Sequence, residues 1–114
     1  MHSILIIEDD VSELDALSEV LECVGYATTW AQNGQQALDL LRTTPTPAMI
    51  LLDLNLPVMN GQQFLDRKRN DPALVKLPVV VISGISTERP QGAAGFLRKP
   101  ISIHALLKIV SGYC

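Results

Sequence analysis

The chain has 114 residues, of which 47% are hydrophobic and 18% charged, and its formal net charge is −3. Such a length and balance suit one soluble globular domain, residues 1–114, around one core. The mild acidity argues against a nucleic-acid-binding surface, and apolar runs of only a few residues cannot span a membrane. The opening Met1-His2-Ser3-Ile4 lacks the basic flank and long apolar core of a signal peptide. Cys23 and Cys114 are too few for a disulfide framework and form no CxxC pair, so a reducing cytoplasm is the expected setting.

In chain order, Ser3 to Ile7 is a short β-branched apolar run, expected as a buried strand. Glu8-Asp9-Asp10 follows. Asp10 stands three residues before Glu13 in a capping-box arrangement, and Val11, Leu14, Leu17, Leu21 and Val24 then recur at helical spacing up to Gly25. Glu8 and Asp9 are left without a capping role. They are either solvated loop acids or oxygen ligands for a hard cation. Tyr26 to Ala31 is the expected second strand, with Trp30, the sole tryptophan, as a packing residue. Asn33-Gly34 reads as a turn, Gln36 to Arg42 as a short helix, and Thr43 to Pro47 as a loop.

Ala48 to Asp53 is the most informative stretch. An unbroken apolar run ending in one carboxylate reads as a strand buried on both faces, and open parallel sheets bind ligands at the carboxyl ends of such strands. Pro57 and Asn60-Gly61 bracket a turn, where Gly61 is expected to supply unusual backbone geometry. Gln62 to Arg69 is a helix with a thin apolar face, Phe64 and Leu65, and a solvated Arg67-Lys68-Arg69. Leu77 to Ile82 is a fourth strand ending in Ser83-Gly84. Ala94 to Arg98 is a weaker fifth, closed by Lys99-Pro100, and Ile103, Leu106, Leu107 and Val110 mark a final helix.

Only 15 residues (84–98) lie between Ser83 and Lys99, and they include Pro90 and three glycines. A standard helix, two loops and a strand need roughly 20 or more. The fourth crossover helix is therefore expected to be short or missing. The remaining alternation predicts an α/β fold, a doubly wound five-stranded parallel sheet of order 2-1-3-4-5 with helices on both faces. That order brings Glu8, Asp9, Asp53, Ser83 and Lys99 to one sheet edge. Clustered carboxylates call for a cation, and a carboxylate can itself attack phosphorus while a lysine and a hydroxyl hold the phosphoryl oxygens.

Glu8-Asp9 after the first strand, Asp53 after the third, Ser83 after the fourth and Lys99-Pro100 after the fifth resemble the receiver domain of two-component response regulators, over essentially the whole chain. The resemblance implies that Asp53 accepts phosphate from a sensor histidine kinase or a phosphotransfer protein. It implies Mg2+ held by Asp9, Asp53 and the backbone carbonyl of Asn55, with Glu8 acting largely through water. It implies Ser83 and Phe96 as the switch pair, a cis Lys99-Pro100 peptide, and an output by altered partner binding without turnover of an external substrate. The shortened 84–98 segment departs from the family at its usual output and dimer face. A receiver-like interaction module that does not signal by phosphorylation is the principal alternative. A dehalogenase-type phosphatase would want an aspartate where Asn55 stands, and a flavodoxin-like cofactor site is at odds with Glu8-Asp9-Asp10.

Overall fold

The computed structural model describes residues 3–54, 56, 58–84, 90 and 92–114. Five strands, β1 (Ser3–Ile7), β2 (Ala27–Ala31), β3 (Met49–Asp53), β4 (Val79–Ser83) and β5 (Gly95–Arg98), form one sheet in the order β2-β1-β3-β4-β5, with every pairing parallel. Four helices connect or flank them: α1 (Val11–Cys23), α2 (Gly34–Thr43), α3 (Gly61–Arg69) and α4 (Ile103–Ser111). The described residues between β4 and β5 hold no helix; residues 85–89 and 91 lie outside the description. The fold is the doubly wound architecture that the alternation of elements predicts.

Period-two alternation divides the core between the two faces of the sheet. Leu5, Ile7, Ile50, Leu52, Val79 and Val81 face one way and pack with Ala37, Leu38 and Leu41 of α2 and Phe64 and Leu65 of α3. Ile4, Ile6, Met49, Leu51, Val80 and Ile82 face the other way and meet Leu14, Leu17 and Leu21 of α1 and Leu106 and Val110 of α4. All residues of β3 and β4 are buried, as apolar strands covered on both faces must be.

Several local expectations change in three dimensions. Val11 and Val24 continue the helical stripe of α1 in sequence but are half exposed, because they lie at its ends, beyond the sheet-facing leucines. Trp30 is 51% exposed rather than packed, since β2 is an edge strand. Asn33 is the N-cap of α2, its side chain accepting from Gln36 N–H at 2.8 Å, so Gly34 opens the helix. Lys68 is buried, not solvated. It donates to the Val75 carbonyl at 3.1 Å and ties α3 to the turn before β4, and burial pushes its pKa down. Leu77, expected as strand, belongs to that turn, and β4 begins at Val79.

Candidate functional site

Asp53 is the last residue of β3, and β1 and β4 flank it. The strand pairing continues one residue past it, with Leu54 N–H donating to the Ile82 carbonyl at 3.3 Å. The chain then returns to Leu54, whose carbonyl accepts from Gly61 N–H at 3.0 Å. A Cβ on Gly61 would lie 2.6 Å from Leu54 Cα and 3.1 Å from the Asp53 carbonyl oxygen. Gly61 is thus required for close approach; the left-handed residues among the described ones are Gly25, Gly92 and Val58, not Gly61. Asn60 and Gln63 form a complete capping box that starts α3 and clamps this return.

Glu8 directly follows β1 and is 2% exposed. Its backbone N–H donates to the Ala31 carbonyl, and its Oε1 accepts from Asp10 N–H at 3.1 Å. Burial pushes its carboxyl up to about 8. The Asp10 N–H opposes that rise, the Asp53 hydrogen bond and charge add to it, and the Lys99 charge works against it. Lys99, in the loop after β5, reaches back to the same place. Its Nζ lies 2.9 Å from Glu13 Oε2, 3.3 Å from Asp53 Oδ2 and 3.5 Å from Glu8 Oε2. Burial alone would lower its pKa, but the Glu13 hydrogen bond and the charges of Asp53 and Glu8 raise it. The Lys99–Pro100 peptide is cis.

Ser83 ends β4 and is buried; its carbonyl accepts from Lys99 N–H at 3.0 Å. Phe96 of β5 is partly buried and packs against the α2/α3 side of the core. Asn55 lies outside the described residues. Asp9 is exposed, and the carboxylates that converge within 4.8 Å among the described residues are those of Glu8, Glu13 and Asp53.

Glu13 is the residue that sequence reasoning passed over. Its spacing from Asp10 accounts for it as half of a capping box, but only one half forms. Asp10 accepts from Ser12 and Glu13 N–H, whereas the Asp10 N–H goes to Glu8. The Glu13 carboxylate is thereby released toward Lys99. The signal that could have found it is its place one turn into the helix that begins at the site.

Chemically, the cluster offers one buried carboxylate beside an ammonium at the end of the central strand, with further carboxylate oxygens converging on it. An all-oxygen, net-negative donor set fits a hard divalent cation such as magnesium, which would offset the burial and the Asp53 charge that together raise Glu8.

The sequence profile of the response regulator receiver domain matches residues 4–111. The polar-differentiation response regulator DivK of Brucella anthropi is 28% identical over 97% of this chain and 94% of its own. The chemotaxis response regulator CheY4 of Vibrio cholerae superposes with a TM-score of 0.89 at 28% identity, covering 100% of this chain and 99% of that one. A receiver domain of a sensor histidine kinase from Pseudomonas aeruginosa PAO1, solved with a magnesium ion in its active-site cleft, gives 0.89 at 22% identity, over 98% of this chain and 96% of its own; that likeness speaks for the fold. With the sheet order, the acid-lined edge and a profile match over nearly its full length in agreement, the chain belongs to the response regulator receiver domain family.

Proposed function

We propose that Asp53 is a phosphoacceptor and that its phosphorylation switches a partner-binding surface. The observation that carries this reading is the Asp53–Lys99 contact of 3.3 Å at the buried end of the central strand. A carboxylate oxygen of Asp53 attacks the phosphorus of a phosphohistidine on a sensor kinase or phosphotransfer protein. The P–N bond breaks, its electron pair stays on the imidazole nitrogen, which takes up a proton, and an acyl phosphate results. Lys99 neutralises the incoming phosphoryl oxygens. Asp9, Asp53 and the Asn55 carbonyl would hold magnesium, with Glu8 behind them through water. When bound, the ion supplies charge neutralisation on the phosphoryl oxygens.

The donor protein has a place to dock in this reading. An apolar groove between α1 and α4, lined by Ala16, Leu17, Val20, Ile101, Ile103 and Leu106, opens beside Lys99. After transfer, the Ser83 hydroxyl turns to the phosphoryl group and Phe96 repacks on the core, which reshapes the β4–β5–α4 surface for an output partner. The whole of residues 1–114 acts as one receiver in the cytoplasm, assists its own phosphorylation and turns over no external substrate.

The test is incubation of the purified chain with magnesium and acetyl phosphate, followed by intact mass. A magnesium-dependent gain of one phosphoryl group, absent in Asp53→Asn, is the expected result. A folded chain that gains nothing is instead an interaction module, a reading favoured by the 15 residues (84–98) between Ser83 and Lys99, too few for a standard crossover helix with its loops and strand.

A further inference from the structure

One carboxylate at the site has no role in that reaction. Glu13 sits on the first turn of α1, with its carboxylate 44% exposed and 2.9 Å from Lys99 Nζ, closer than either Asp53 or Glu8. We propose that Glu13 is a positioning residue that competes with the phosphoryl group for Lys99 and so limits the occupancy and lifetime of phosphorylated Asp53. The inference rests on Asp53 being the phosphoacceptor.

Three features carry it. First, Glu13 is not occupied as a helix cap. The fold does complete a capping box where the partner side chain is free, at Asn60 and Gln63 of α3, but at α1 the Asp10 N–H is taken by Glu8. Second, Lys99 is crowded. An ammonium has three N–H donors, and three carboxylates surround this one. It hydrogen-bonds to Glu13 and Asp53, with Glu8 at ion-pair distance, and phosphorylation removes the Asp53 carboxylate charge, so Glu13 is the hydrogen-bonded carboxylate left to compete with a phosphoryl oxygen for it. Third, the three are unequal. Asp53 carries the phosphoryl group and Glu8 is fully buried beside it, whereas the Glu13 carboxylate is half in water and can be rehydrated when Lys99 leaves it. Glu13 is therefore the group that yields, and once displaced it remains close to the new negative charge. Both effects oppose the phosphorylated state.

The experiment uses the full chain at saturating magnesium. The lifetime of the acyl phosphate and the affinity for beryllofluoride, a phosphoryl mimic, are measured in wild type, Glu13→Gln and Glu13→Asp. Glu13→Gln should lengthen the lifetime and tighten beryllofluoride about three- to tenfold, with the difference shrinking as salt is raised. Glu13→Asp, which keeps the charge, should fall back toward wild type. In metal-free, phosphate-free protein, the Lys99 Nζ resonance should move in Glu13→Gln, a change that a purely structural role of Glu13 in α1 would not produce. Glu13→Ala must shift lifetime and affinity in the same direction as Glu13→Gln. Unchanged lifetime and affinity in Glu13→Gln, or an unmoved Lys99 resonance, overturns the proposal while phosphorylation of Asp53 stands. Absence of any phosphoryl gain in wild type overturns both readings.

Discussion

Glu8 is where the cost of the site is concentrated. It is an acid buried to 2% exposure beside a second carboxyl, and only the Asp10 N–H and part of Lys99 favour its charge. A folded pKa of about 8 against an ordinary 4.5 means that the folded state holds the proton more tightly than the unfolded one. The contribution to stability is therefore fully present below about pH 4.5 and is lost as the pH rises through about 8. The unfolding free energy of metal-free protein, from urea titrations, should fall across this window by on the order of a few kcal/mol in total. Glu8→Gln should remove most of that slope; an equal slope in the variant would show that the penalty lies elsewhere. Gly61 is the other position where one atom matters. Gly61→Ala forces a methyl against the Leu54 backbone at 2.6 Å and should cost about 1–3 kcal/mol by thermal or urea unfolding. The same change should weaken phosphoacceptance, because Leu54 directly follows Asp53.

Among the elements, the β3–α3 connection combines tight anchoring with local strain. Its end is fixed by the Asn60–Gln63 capping box and by the Gly61–Leu54 bond. Within it, Val58 stands at φ 65° with its side chain 83% exposed. A β-branched residue is poorly suited to the left-handed region, at a cost of roughly 1–2 kcal/mol. Glycine there would relieve that strain and give back roughly 0.5–1 kcal/mol in chain entropy. Val58→Gly should therefore raise stability by up to about 1 kcal/mol, visible as a melting temperature higher by a few degrees. A lower melting temperature would mean that Val58 makes contacts that outweigh its backbone strain. α3 itself is anchored at its other end by Lys68, whose stem is buried and whose ammonium closes the following turn on Val75.

Across the whole molecule, the sheet works as a rigid frame that converts chain order into proximity. β3 and β4 are paired and covered on both faces, so the strand ends that carry Asp53 and Ser83 are held fixed relative to one another. The acids and the lysine meet at that frame's edge although Glu13 and Lys99 are 86 residues apart. A ligand that binds only the folded chain stabilises it by mass action, about 2.7 kcal/mol at a hundredfold excess over Kd. Magnesium should accordingly raise the melting temperature of wild type, and Asp53→Ala should abolish the rise. Asp9→Asn should abolish most of it too, whereas Glu13→Gln should keep it. The opposite ranking of these last two would make Glu13, which already lies in the carboxylate cluster, the ligand in place of Asp9.

The five strands, their parallel order and the polar residues that stand at their ends were legible in the amino-acid order. Unbroken apolar runs such as Met49–Leu52 and Val79–Ile82 admit little but buried parallel strands, and each stops at a polar residue. Asp53, Glu8, Ser83 and Lys99 could be named for that reason: local pattern dictates which residue ends a strand, and the crossover rule dictates which ends are neighbours. The exposure of Trp30, the burial of Lys68, the close approach at Gly61 and the Glu13–Lys99 pair could not be read in this way. Each depends on what a distant segment presents at a given point, whether an edge, a carbonyl, a backbone or an ammonium. Periodicity reports only which side of an element a residue takes. Which partner meets it there follows from the packing of all the elements together.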